Sequence, residues 1–134
     1  MSAAANDSPP KKPSILVVDD NADMVELLRL KLTGAGYAVI TAEHPLRALD
    51  LLEQQMPDVM VLDIMMPVRS GIEVLENIRW NPRYAQLPII VLSAATLREE
   101  DRAFVNEFSR AYLDKTDLDK LVPLIQEILK ERDT

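Results

Sequence analysis

Val59 to Leu62 is an unbroken apolar run, fenced by Pro57 and Pro67, that delivers a carboxylate, Asp63, at its far end. Such a run leaves no wetted face, so it reads as a strand covered on both sides rather than an alternating, half-exposed one. Ligands of open parallel sheets bind beyond the carboxyl ends of the strands, which makes Asp63 a candidate site residue. Alone, Asp63 reads at least as well as a turn residue, because Asp is common where strands stop.

Other runs end in the same kind of chemistry. Ile15 to Val18 leads into Asp19 and Asp20, Ile89 to Leu92 into Ser93, and Ala111 to Leu113 into Asp114 and Lys115. If these are parallel neighbours, their ends gather three carboxylates, a hydroxyl and an ammonium around one small volume.

Helical patterns separate the runs. Asp20-Asn21-Ala22-Asp23 marks a helix start, Met24, Leu27, Leu28, Lys31 and Leu32 follow at helical spacing, and Gly34 or Gly36 closes it. Tyr37 to Thr41 is a shorter strand suited to a sheet edge. Pro45 opens a second helix with Leu46, Ala48, Leu49 and Leu52 inward, and His44 before it is a solvated entry residue. Ser70 and Glu73 have capping-box spacing ahead of a third helix with Ile72, Leu75 and Ile78 inward, ending by Asn81-Pro82. Leu97 to Phe108 is a fourth, weakly amphipathic helix anchored by Leu97, Phe104 and Phe108. Asp117 caps the fifth, whose stripe is Leu118, Leu121, Val122, Ile125, Ile128 and Leu129. Pro123 predicts a kink or a late start there, since an interior proline costs about 3 kcal/mol. Strand and helix alternate about five times, the pattern of one α/β domain over residues 14–132 behind a flexible tail, residues 1–13.

Composition removes several classes of function. Lys and Arg total 15 against 22 Asp and Glu, a formal charge of −7, and no basic stripe is present, so direct nucleic-acid binding is not expected. No apolar run approaches the roughly 20 residues of a membrane span. There is no cysteine for disulfides or thiolate metal sites. The start lacks the features of a secretory signal, which makes a cytoplasmic location the expectation.

Three acids at one strand-end pocket repel one another unless a cation neutralises them. Asp19, Asp20 and Asp63 offer hard oxygen ligands, which suit Mg²⁺ better than zinc. A carboxylate can also act as a nucleophile and form an aspartyl phosphate. The metal on one side and Lys115 on the other could then neutralise the phosphoryl oxygens, with Ser93 as a hydrogen-bond donor. Taken singly, Lys115 also reads as a surface lysine and Ser93 as a strand-end hydroxyl.

Asp19-Asp20-Asn21, Asp63-Ile-Met-Met-Pro67 with Ser70-Gly71, Leu92-Ser93-Ala94 and Tyr112-Leu113-Asp114-Lys115 together resemble the receiver domain of bacterial two-component response regulators. The resemblance covers about residues 14 to 132. It implies a flavodoxin-like, doubly wound five-stranded parallel sheet of order 2-1-3-4-5 with helices on both faces, an order taken from the family. It further implies that Asp63 accepts a phosphoryl group from a histidine kinase or phosphotransfer protein. Asp20 would bind Mg²⁺ directly, Asp19 largely through water, and Met65 through its backbone carbonyl, with Lys115 pairing to the phosphoryl group. Ser93 and Tyr112 would move as the switch, and the fourth helix, fifth strand and fifth helix would form the output surface for a protein target or a homodimer.

Some positions depart from the family pattern. Thr116 stands where proline usually follows the lysine, which puts the usual cis peptide in question. Ser109-Arg110 replaces the common Gly-Ala. Met65 and Ala95, positions that influence loss of the phosphoryl group, are both apolar, so self-dephosphorylation should be slow and the chain a phosphoacceptor rather than an enzyme. Among rivals, a flavodoxin-like cofactor binder lacks its Ser/Thr/Gly-rich anion cradle, and a haloacid dehalogenase-type hydrolase lacks the second Asp at position 65. The remaining alternative is a phosphorylation-independent pseudo-receiver acting as an interaction module.

Overall fold

The computed structural model describes residues 12–64, 71–93 and 97–133. In chain order the elements are β1 (Ser14–Val18), α1 (Ala22–Gly34), β2 (Ala38–Ala42), α2 (Pro45–Gln54), β3 (Val59–Asp63), α3 (Gly71–Trp80), β4 (Ile89–Ser93), α4 (Glu99–Phe108), β5 (Ala111–Asp114) and α5 (Leu121–Arg132). Short 3₁₀ segments, Pro82–Tyr84 and Lys115–Lys120, follow α3 and β5. All five strands are parallel in the order β2-β1-β3-β4-β5, the doubly wound order expected.

The uninterrupted apolar runs behave as their composition demands. Every residue of β1, β3 and β4 is buried, whereas the edge strands β2 and β5 are largely half-covered. Successive side chains on a strand point to opposite faces. Leu16, Val18, Met60, Leu62, Ile89 and Val91 therefore pack with residues of α2, α3 and α4. Ile15, Val17, Val59, Val61, Ile90 and Leu92 pack with residues of α1 and α5.

Several helix faces differ from expectation. In α1 the buried set is Val25, Leu28 and Leu32, and Leu27 is 48% exposed. In α2 it is Pro45, Ala48 and Leu52, with Leu46 52% exposed. Both segments carry more leucines than one face can hold, so two overlapping stripes satisfy helical spacing and contact with the sheet selects one. In α3, Val74 joins Leu75 and Ile78 in the core, and Ile72 is only half-buried. Gly36 is the residue with positive φ, +99°, that lets the chain turn from α1 into β2. His44 is exposed as expected and caps α2, its Nδ1 accepting from the Leu46 amide at 3.1 Å.

The last two helices required the larger corrections. The fourth begins at Glu99 rather than Leu97, and its single fully buried residue is Val105, with Phe104 and Phe108 half-buried beside it. Asp117 does not cap the fifth. It has non-helical angles inside the 3₁₀ segment, φ −106° and ψ 33°, and α5 starts at Leu121. Pro123 accordingly lies in the first turn, where a missing N–H removes no intrahelical bond, which is the late start the proline predicted. Ser70 of the expected capping box, Met65, Ala95 and residues 1–11 of the expected tail lie outside the described residues.

Candidate functional site

The strand ends converge at the crevice between β1 and β3, where the sheet's winding reverses. Asp19 follows β1, and its amide donates to the Ala42 carbonyl at 3.1 Å, which extends the ladder with β2 by one bond. Asn21 caps α1 by accepting from the Met24 amide at 3.0 Å, and its own amide donates to Asp19 Oδ1 at 2.9 Å. The start of α1 therefore fixes the Asp19 carboxylate, a role for Asn21 that the capping signal alone did not reveal. Asp20, beside it, is exposed.

Asp63 ends β3 and is 4% exposed; Asp19 is 1% exposed. Carboxylate oxygens of Asp19, Asp20 and Asp63 lie within 4.8 Å of one another. Lys115, at the end of β5, reaches between the two buried acids, with Nζ 2.9 Å from Asp19 Oδ2 and 3.4 Å from Asp63 Oδ2. Burial pushes the pKa of this ammonium down. The hydrogen bond to Asp19 and the charges of Asp63 and Asp19 outweigh that and raise it, so Lys115 stays charged. One ammonium cannot balance three carboxylates, and their hard oxygens fit a divalent cation such as Mg²⁺.

Ser93 is fully buried at the end of β4, one position past the Leu92 that pairs with Asp63. In the ladder with β5 it lies opposite Asp114. Tyr112 is half-buried on β5 and packs against the core on the α2, α3 and α4 side of the sheet. Asp114 accepts from the Thr116 amide and hydroxyl, both at 2.8 Å, which shapes the turn after Lys115. The Lys115–Thr116 peptide is trans, like all those among the described residues.

Gly71 is part of the site's frame. Its amide donates to the Ile64 carbonyl at 3.2 Å, and a Cβ there would run into the Ile64 Cα and stand 2.5 Å from the Asp63 carbonyl oxygen. The first residue of α3 thus lies directly on the backbone that carries Asp63, a contact that needs glycine. The spacing of a glycine after the strand was visible in the sequence, but the contact was not.

A cleft of about 610 Å³ lies at the opposite end of the sheet among Arg79, Leu87, Glu107, Arg110, Ile128 and Glu131. Its cations are engaged, Arg79 with backbone carbonyls and Arg110 with Glu131 at 2.8 Å. The concentrated chemistry is at the carboxyl ends of the strands.

A sequence model of the family described as the response regulator receiver domain matches residues 15–126. An uncharacterized 14.6 kDa protein in the sodA1 3' region of Leptolyngbya boryana is 37% identical over 84% of this chain and 87% of its own. Response regulator MprA of Mycobacterium sp. (strain KMS) is 41% identical over 75% of this chain, which spans only 43% of that protein. Among solved structures, response regulator TrrA of Thermotoga maritima, in complex with Mg²⁺-BeF, superposes with a TM-score of 0.77 at 32% identity, over 87% of this chain and 98% of that one. Among the described residues, no helix is long and apolar enough to cross a membrane.

Proposed function

The chain belongs to the response regulator receiver domain family, and on that premise we propose that it accepts a phosphoryl group on Asp63 from a phosphohistidine of a partner kinase or phosphotransfer protein. The change is passed through α4, β5 and α5 to a protein target, with a homodimer through the same elements as one form of output. The observation that carries this reading is the Lys115 ammonium held between Asp19 and Asp63, at 2.9 and 3.4 Å, with Asp20 at the same crevice.

In this reading an Asp63 carboxylate oxygen forms the bond to phosphorus as the donor's P–N bond breaks. Asp20 and Asp63 with the Met65 carbonyl, and Asp19 largely through water, would hold Mg²⁺, and the ion would supply positive charge for the phosphoryl oxygens. Lys115 already sits within a salt bridge of Asp63, so it is placed to pair with the transferred group without a long excursion. Ser93 then donates its hydroxyl to a phosphoryl oxygen, and Tyr112 turns inward to fill the space behind it. The same acidic set and the TrrA complex with Mg²⁺-BeF support the choice of metal. Neither Met65 nor Ala95 offers a group to orient water, so the chain holds its phosphoryl group as an acceptor rather than turning it over as an enzyme. Its acidic surface, formal charge −7, favours protein partners over nucleic acid.

Phosphorylation by phosphoramidate, followed by intact mass, tests the proposal. Wild type should gain one phosphoryl group only with Mg²⁺ present, Asp63→Asn should gain none, and Lys115→Met should load much more slowly. A wild type that stays unmodified, or that matches Asp63→Asn, would leave an interaction module that works without phosphate.

A further inference from the structure

The two ends of α4 are held very differently. At its C-terminal end, the Arg79 guanidinium projects from the last turn of α3. Its Nε donates to the Phe108 carbonyl at 2.6 Å, and its Nη1 donates to the Tyr84 carbonyl at 2.9 Å and the Ala85 carbonyl at 3.4 Å. One planar cation therefore ties the final residue of α4 to the end of α3 and the 3₁₀ turn that follows it. Ser109 adds two bonds to the Val105 carbonyl, from its amide at 2.9 Å and its hydroxyl at 2.5 Å. The Arg110 amide then joins the Ile89 carbonyl at 2.7 Å, anchoring the chain to β4. The buried Val105 and the Phe104–Phe108 ring pair, centroids 4.6 Å apart, lie in this same half of the helix.

At the N-terminal end Leu97, just before the helix, is buried in the core, but among the described residues no side chain from another element clamps the first turn by hydrogen bonds. Arg98 stands at the cap position without a side-chain cap, and Glu99 and Glu100 are exposed. Arg98 pairs with Glu100 at 3.4 Å and Asp101 at 3.1 Å, but exposed pairs of this kind contribute little. Burial pushes the Arg79 pKa down, yet arginine does not deprotonate in proteins, so a half-buried charge is retained where its hydrogen bonds are made.

We propose that Arg79 is the fixed pivot of α4: it clamps the Phe108 end of the helix so that displacement on switching is confined to the Glu99 end. This deepens the reading of α4 as part of the output surface and rests on it only for the switching step. A helix of ten residues is about 15 Å long, so a tilt of about 10° around Phe108 moves Glu99 by roughly 3 Å. Such a lever presents a changed acidic turn to a partner while the core contact at Val105 survives.

Amide hydrogen exchange of the full chain, with and without phosphoramidate and Mg²⁺, tests the pivot. In unmodified wild type, protection should rise from the Arg102 and Ala103 amides toward those of Val105 to Phe108, and a flat or reversed profile overturns the proposal. Arg79→Met keeps the apolar stem and loses the fork. It should speed exchange at Val105 to Phe108 by tenfold or more while Val59 to Asp63 in β3 change little. Unchanged exchange in α4, or an equal rise in β3, overturns the proposal. Arg79→Lys keeps the charge with a single-point donor and should fall between the two, which preserves the comparison should Arg79→Met fail to fold. On phosphorylation, wild-type changes should stop before Phe108 and extend to it in Arg79→Lys. No change anywhere in phosphoramidate-treated wild type sinks the phosphoacceptor reading, while the unmodified profiles still decide whether Arg79 clamps the helix.

Discussion

At the residue scale, the site depends on how closely groups approach Asp63. Lys115 does so through charge, settling between two buried carboxylates, and Gly71 does so by having no side chain at all. Gly71→Ala would force α3 off the Asp63–Ile64 backbone or push that backbone aside. Overpacking of this kind costs about 1–3 kcal/mol. We expect a melting temperature lowered by several degrees, together with phosphoramidate loading slowed beyond that of an equally destabilised Ile128→Ala variant on the far face of the sheet. Equal loading of the two variants would reduce Gly71 to a packing residue. In the proposed reading, Met65 and Ala95 bear on the lifetime of the product. Following loss of the phosphoryl group after donor removal should show slow decay in wild type, and a polar residue such as Met65→Asn or Ala95→Lys should shorten it by about tenfold, as expected of a group able to hold an attacking water. No acceleration in either variant would remove the link between those side chains and the lifetime.

At the scale of elements, β1, β3 and β4 were legible because burial on both faces writes a continuous apolar run, whatever the neighbours turn out to be. Helix existence was equally plain. Helix faces were less so, since Leu27 and Leu46 fit helical spacing and still point outward. The choice between overlapping stripes is made by the sheet, not by the helix. Pro123 shows a local signal that did carry through: the cost of an interior proline delayed α5 to Leu121. Pro123→Ala is therefore expected to lower stability by about 0.5–1 kcal/mol, because the variant only loosens the unfolded chain. A proline strained inside a helix would instead give a gain of about 3 kcal/mol on replacement. Urea unfolding separates the two outcomes by sign.

At the scale of the molecule, the end opposite the acidic crevice is closed by a latch of Asp58, Ser14 and Arg132. Asp58 Oδ2 accepts from the Ser14 amide at 2.6 Å, and Oδ1 accepts from Arg132 Nη1 at 2.6 Å, joining the starts of β1 and β3 to the end of α5. Burial raises the Asp58 pKa, but the Ser14 amide, Arg132 and the Ser14 hydroxyl together outweigh it and leave it below the usual carboxylate range. The unfolded chain then binds this proton more readily than the native one, so stability falls as the medium becomes acidic. The contribution is complete above the ordinary Asp range near pH 4 and is lost as pH drops through the lowered native value. Asp58→Asn should cost about 1–3 kcal/mol at pH 7, with the gap to wild type closing toward the most acidic conditions in urea titrations. A gap that persists there would assign the latch to packing rather than charge.

The sequence by itself determined that this is an alternating α/β chain with polar chemistry at its strand ends, because periodicity, capping residues and proline act over a few positions and need no knowledge of the rest. The strand order came from family resemblance, not from periodicity. Only the tertiary structure decided that Lys115 meets an Asp19 lying 96 positions earlier, that Arg132 closes on Asp58 across 74, and that Arg79 reaches the end of α4 across 29. Contacts of that span depend on how the sheet closes and which helix face it accepts, and no local pattern in the chain encodes either.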